Sequence, residues 1–229
     1  MKKIVILTGA GISAESGIKT FRDADGLWEG HDIMEVASPI GWERNKKLVL
    51  DFYNKRRAQL ISVNPNEGHR VLVLLENYFE TTIITQNVDD LHERAGSKNV
   101  LHLHGELLKV RSINKENLVY NWSKDLNIGD MCEESHQLRP HIVWFGEAVP
   151  MLDKAIEITA MADILIIIGT SMQVYPAASL INFIKPNTPI YFIDPKPSIE
   201  EHNYSNLKII AKNASVGVPK VVKLLIEKL

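Results

Sequence analysis

The chain has 229 residues, with 26 Lys and Arg against 28 Asp and Glu, a formal net charge of -2 and a single cysteine, Cys132. That length can bury the core of one large domain, or of a large domain with a small companion. The balanced charge argues against a nucleic-acid partner, the lone cysteine excludes an internal disulfide and points to a reducing compartment, and no apolar run is long enough to cross a membrane.

The first apolar run, Ile4 to Leu7, reads as a short buried strand and delivers the chain into Gly9 and Gly11. Glycines where a strand hands over to a helix let the backbone approach a phosphate closely, and helix-end N-H groups can bind it. The next glycine is Gly17, so the G-x-G-x-x-G dinucleotide fingerprint is not met. The loop that follows holds Phe21, Arg22, Asp23, Asp25 and Trp28, where a plain crossover helix would show an apolar stripe, and it reads as a lid over a ligand. Asp32 to Ile61 has a largely helical, charged pattern, and a further helix is expected over Gly68 to Asn77. Strands follow at Thr82 to Thr85, Asn99 to Leu103, Ile164 to Ile168 and Ile190 to Ile193, with helices over Ser179 to Ile184 and Pro219 to Leu229. Glu106 to Leu138 is polar and poorly periodic. The alternation predicts an α/β fold with a doubly wound parallel sheet, in which ligands sit beyond the carboxyl ends of the strands. The two irregular stretches are expected to form a small second lobe: residues 1–31, 62–105 and 139–229 make the nucleotide-binding domain, and 32–61 and 106–138 the insertions.

Several strand ends carry polar groups suited to a site. Gln86, Asn87 and Asp89 follow T-T-I-I-T and offer amides and a carboxylate for ribose hydroxyls or a carboxamide, while Asp90 can cap the next helix. In V-L-H-L-H-G-E, His104 stands at the strand's end, where a general base belongs, because imidazole accepts a proton near neutrality. His102, deeper in the strand, reads as a structural, hydrogen-bonded histidine, and two histidines without a third ligand make a poor metal site. Gly169 to Ser171 offer donors at another strand end. Asp194 is placed either for ribose hydroxyls or for a simple turn with Pro195.

Taken in order, G-A-G-I-S-A-E-S-G-I with F-R-D-A-D-G-L-W, T-Q-N-V-D-D-L-H-E-R-A-G, L-H-G-E, V-W-F-G-E and G-T-S-M-Q-V-Y-P-A-A closely resemble the sirtuins, NAD-dependent protein lysine deacylases. The resemblance runs from near residue 4 to Val216. It implies a Rossmann-like domain that binds NAD, cleavage of the nicotinamide bond as an acyl-lysine oxygen attacks the ribose, and His104 as the base that deprotonates a ribose hydroxyl. The products would be nicotinamide, free lysine and O-acyl-ADP-ribose. Gly9, Ala10, Gly11, Ser13, Thr20, Arg22 and Trp28 would belong to the cofactor loop. Ile12, Phe21, Asn87, Val88 and Asp89 would form the nicotinamide pocket, with Gln86 on the ribose. Gly169, Thr170, Ser171, Asp194 and Ala214 would line the adenosine side. Val143, Phe145, Gly146 and Val174 would flank the substrate peptide as an added strand.

Tyr53 and Arg56, three apart in a helical stretch, share a face, and an Arg fork with a Tyr hydroxyl suits a carboxylate. The pair, with the small Ala37, resembles that of the sirtuin class that includes desuccinylases, implying succinyl-lysine as well as acetyl-lysine substrates. One departure concerns zinc. Most sirtuins hold it on four cysteines, whereas this chain has Cys132 alone, with Ser112 near where a ligand would stand, so zinc is not expected. The expected protein is a cytoplasmic monomer acting on acylated proteins, with neither nucleic acid nor membrane as partner. The alternatives are a protein mono-ADP-ribosyltransferase and a non-catalytic NAD-sensing module. A dehydrogenase is disfavoured by the failed glycine fingerprint.

Overall fold

The computed structural model describes residues 1–19, the backbone of 27 and 28, and residues 30–200 and 204–229. In chain order the elements are β1 (Lys3–Thr8), β2 (Leu27–Trp28), β3 (His31–Asp32), α1 (Ile33–Val36), α2 (Pro39–Arg44), α3 (Lys46–Ser62), α4 (Glu67–Leu72), β4 (Glu80–Thr85), α5 (Leu91–Ala95) and β5 (Val100–His102). They continue with β6 (Gly105–Ser112), β7 (Val119–Asn121), β8 (Leu138–Ile142), α6 (Leu152–Ala160), β9 (Ile164–Ile168), β10 (Ile190–Ile193), β11 (Leu207–Ile210) and α7 (Ala214–Ile226).

Among the described residues the main sheet has six parallel strands in the order β11-β10-β9-β1-β4-β5. The chain builds outward from β1 to β5 on one side and returns to build β9 to β11 on the other. The carboxyl ends of β1 and β9 therefore flank a topological switch point, the crevice where doubly wound sheets take their ligands. β1 and β9 are buried along nearly their whole length, which is why they read as unbroken apolar runs rather than as alternating ones. One face of the sheet packs on α4 and α7 through Ile4, Ile6, Leu72, Val218 and Val222, and the other carries Val5, Leu7, Leu165, Ile167, Leu180 and Phe192.

The polar stretch after His104 forms a second, antiparallel sheet in the order β7-β6-β8, with α3 against it. Its strands carry no clear signal in the sequence, because β6 shows no strict inside-outside alternation. β8 runs on to Ile142, so this sheet extends past residue 138. Further differences from the expected elements follow. The turn after β1 is two short 3-10 segments, Ala10–Ile12 and Ala14–Ser16, instead of an α-helix. The helix expected to begin at Pro219 starts at Ala214, because Ala214, Val218, Val221, Val222 and Leu225 make one buried stripe and packing outweighs the missing proline N-H. β11, only four residues long, has no counterpart among the expected strands. No helix among the described residues is long and apolar enough to cross a membrane.

Candidate active site

A cavity of about 770 Å³ opens at the carboxyl ends of the parallel strands and runs toward α3 and the segment after β8. The loops after β1 and β9 interlock beneath it. Gly9 N donates to Ile168 O at 3.0 Å and Gly11 N to Gly169 O at 2.8 Å. Gly169 sits at φ +61°, and a Cβ placed there would lie 2.4 Å from Ile12 N. These glycines thus allow two loops to touch, and the Gly9 and Gly11 amides are held by protein carbonyls, whereas the sequence pattern had pointed to a phosphate at a helix end.

Asn87 and Asp89 converge on Ser13 behind the cavity wall. The Ser13 hydroxyl donates to Asp89 Oδ2 at 2.9 Å, and Asn87 Nδ2 donates to Gly9 O and to Ser13 Oγ, each at 3.2 Å. With its one proton directed to Asp89, Ser13 Oγ accepts from His69 Nε2 at 3.4 Å, which sets the His69 tautomer. Burial pushes the Asp89 carboxyl up, against the Ser13 and Leu91 hydrogen bonds that stabilise its anion. Since the Asn87 nitrogen is engaged by the protein, the group it offers a ligand is the carbonyl Oδ1. His69 went unread in the sequence, because nothing in G-H-R marks a ring that ends against a serine fifty-six residues away.

His104 follows β5 and lines the cavity. Its Nδ1 lies 3.0 Å from Gln86 O, and a carbonyl only accepts, so Nδ1 carries the proton and Nε2 is the basic nitrogen. Burial lowers the His104 pKa, with the Gln86 bond opposing in part, so the ring is neutral at pH 7. His102 behaves as the sequence suggested: Nδ1 meets Asn87 O at 3.1 Å and Nε2 meets Glu93 Oε1 at 2.7 Å. Gln86 Nε2 donates to Thr170 Oγ1 at 3.1 Å, tying the β4 and β9 loops together. Asp194 Oδ1 caps the Lys196 N-H at 2.8 Å, so it makes the turn and lines the cavity at once.

Of the other expected residues, Gly9, Ala10, Gly11, Val88, Gly169, Thr170, Ser171, Ala37, Tyr53, Arg56, Val143, Phe145, Gly146 and Val174 all line the cavity. Ser13 stands directly behind it. Ile12 and Ala214 do not line it: both lie in the core with Ile4, Leu72 and Val218, and the neighbouring Asn213 faces the cavity instead. Thr20, Phe21 and Arg22 lie outside the described residues, as does the Trp28 side chain. Unread in the sequence, Gln59 from α3 and Lys196 also reach the wall. The Cys132 thiol is 3.6 Å from Ser112 Oγ, and no group of three His, Cys, Asp or Glu suited to a metal occurs among the described residues.

Residues 9–176 match the model of the Sir2 family. A protein of Helicobacter pylori (strain ATCC 700392 / 26695) named NAD-dependent protein deacylase is 61% identical, over 99% of both chains. A solved structure described as a Sir2 homolog–NAD complex superposes with a TM-score of 0.89 at 37% identity, covering 99% of this chain and 90% of that one. Another, described as Sir2 bound to acetylated peptide, gives a TM-score of 0.77 at 26% identity over 98% of this chain and 92% of the other. With the family model spanning most of its length and a full-length relative well above half identical, the chain belongs to the Sir2 family.

Proposed function

We propose that the protein is an NAD-dependent protein lysine deacylase that removes acetyl and negatively charged acyl groups such as succinyl. The observation that carries this reading is the neutral His104, its Nδ1 held on Gln86 O and its ring on a cavity that also collects Asn87, Asp89, Thr170 and Asp194. That donor and acceptor set fits NAD, with carboxamide partners at Asn87 and Asp89 and ribose partners at Gln86 and Asp194. Bound NAD would supply an electrophilic ribose carbon and, once nicotinamide has left, the ADP-ribose that carries the acyl group away.

His104 Nε2 takes a proton from a ribose hydroxyl, and the Gln86 carbonyl keeps the ring in the tautomer that can do so. Asn87 and Asp89 orient the carboxamide, and Ser13 holds both side chains in place. Val143, Phe145, Gly146 and Val174 flank the peptide: Val143 N donates to His104 O and Phe145 N to Ala37 O, each at 2.9 Å, which ties the peptide-facing segment to the catalytic strand and to the acyl pocket. Tyr53 and Arg56 of α3, beside Ala37, form the acyl end of the cavity and supply donors for a carboxylate. The division into a nucleotide-binding part and a small lobe belongs to the same reading, supported by the parallel sheet in one and the antiparallel sheet in the other.

The test is a panel of acetyl-, succinyl- and longer acyl-lysine peptides incubated with NAD, with nicotinamide and O-acyl-ADP-ribose followed by mass spectrometry. Both products should appear in equal amounts with acetyl and succinyl peptides. ADP-ribose attached to protein, or no nicotinamide release, would refute the reading.

A further inference from the structure

We propose that Trp144, braced by Arg139 and Glu147, is a positioning residue that holds the Tyr53 hydroxyl in the direction required to recognise a negatively charged acyl group. The inference rests on the reading of Tyr53 and Arg56 as the acyl-carboxylate site.

Tyr53 is fully buried, and its hydroxyl lies 3.0 Å from Trp144 Nε1. An indole N-H only donates, so toward Trp144 the phenol oxygen is the acceptor and its own O-H is oriented elsewhere. Burial raises the phenol's pKa well above its ordinary value, so it keeps that proton at any assay pH. A phenol that accepts on one side and donates on the other has a defined polarity, and what it then recognises is an acceptor such as a carboxylate oxygen.

Trp144 is itself tightly held. The Arg139 guanidinium lies 3.3 Å from the centroid of its ring, and Trp42 packs with its ring centroid 5.7 Å away. Arg139 Nη1 and Nη2 donate to the two Glu147 oxygens at 2.6 and 3.1 Å, and Nη2 also donates to Ile142 O at 3.0 Å. Glu147 Oε2 accepts from the Trp144 backbone N-H at 2.8 Å and from Arg111 at 3.4 Å. Burial alone would raise the Glu147 carboxyl, but Arg139 and the Trp144 amide outweigh it and keep it ionised. The segment 143–147, of which Val143, Phe145 and Gly146 also line the cavity, thus sends one indole back to the Tyr53 hydroxyl. An acetyl group has no carboxylate and does not depend on the direction of that hydroxyl.

The experiment compares Trp144→Phe with wild type on one peptide carrying either acetyl- or succinyl-lysine at saturating NAD. The substitution keeps an aromatic ring under Arg139 and removes the N-H. The desuccinylation kcat/KM should fall about fivefold further than the deacetylation kcat/KM, mainly through KM, as expected for one neutral hydrogen bond. In a Tyr53→Phe background the same change should add nothing. Tyr53→Phe and Arg56→Met, measured alone, test the acyl-pocket reading. If they are selective for succinyl but Trp144→Phe affects both peptides equally or neither, the proposal is overturned and the acyl reading stands. If they too act equally on both peptides, the acyl reading falls and takes the proposal with it. Should Trp144→Phe fail to fold, Glu147→Gln, which loosens Arg139, carries the test: a smaller selective loss supports the proposal, and an equal loss or none overturns it.

Discussion

At the scale of single residues, the base role proposed for His104 turns on which of its nitrogens is basic and at what pH. The Gln86 carbonyl settles the first question by accepting from Nδ1, and burial settles the second by lowering the pKa. A base works when deprotonated, so kcat/KM should rise with pH through a value below the ordinary 6.5 of histidine and then stay level through neutrality. An acid limb centred above 6.5 would contradict the assignment. His104→Ala should lower turnover by about 10²- to 10⁴-fold with little change in thermal stability, read by nicotinamide release and calorimetry. His104, Asn87 and Asp89 were legible in the sequence because they stand at strand ends, where backbone direction alone delivers them to a crevice. Trp144 was legible only as part of a peptide-flanking segment. Its contact with Tyr53, 91 residues away, depends on how two elements meet.

At the scale of elements, the loops after β1 and β9 form one unit, and Gly169 is where they are closest. A methyl group at Gly169 would lie 2.4 Å from Ile12 N and 2.5 Å from Gly11 C, at a backbone conformation that L side chains rarely adopt. Gly169→Ala should therefore cost about 1–3 kcal/mol from strain alone and weaken NAD binding with it, by separating the loops. An unchanged melting temperature together with unchanged NAD affinity would refute this. Below the same loops, α4 and α5 face each other through His69 and His92, whose ring centroids are 4.9 Å apart. Burial takes the His69 pKa down to about 4, and that of His92 also falls well below its ordinary value. Both rings are neutral in the fold and protonate more readily in the unfolded chain. Their stabilisation is thus complete above pH 6.5 and is lost as pH falls from there toward 4. For His69 alone, at about 1.4 kcal/mol per pH unit, the loss approaches about 3 kcal/mol. Urea midpoints from pH 7.5 to 4.5 should fall steeply in wild type and less in His69→Gln; parallel curves would exclude His69 as a source of the acid sensitivity. Neither histidine could be assigned to this layer from sequence, since the strands that supply Thr8 and Thr85 to the same layer gave no sign of a polar floor.

On the scale of the whole molecule, the part least visible in the sequence is what holds the antiparallel sheet in place. Residues 32–61 and 106–138 read as two insertions forming one small lobe, but the core they share, Trp42, Leu50, Phe52, Leu107, Val110, Leu126 and Leu138, appears only once they are folded together. Its polar stitch is Asn54 on α3. The side-chain nitrogen donates to Leu126 O at 3.0 Å, while its oxygen accepts from Leu126 N at 2.9 Å and from Arg57 Nη1 at 2.8 Å. Arg57 in turn donates through Nε to Leu107 O at 3.2 Å, so two adjacent turns of one helix hold both β6 and the loop before β8. Burial lowers even the Arg57 pKa, to about 10, with Asp125 opposing, so its charge persists at neutral pH but depends on these partners. Asn54→Ala would leave a buried backbone N-H and carbonyl at Leu126 without these partners and remove one acceptor from Arg57. The expected loss is roughly 3 kcal/mol, concentrated in the small sheet. Amide exchange should report it as lost protection across β6 to β8, with β1, β4 and β9 little changed. If the stitch and the apolar core together replace a metal, prolonged incubation with a strong chelator should leave both the melting temperature and the exchange pattern of the wild type unchanged. A chelator-induced loss of protection in β6 to β8 would show that a metal ion, rather than Asn54 and Arg57, carries the small lobe.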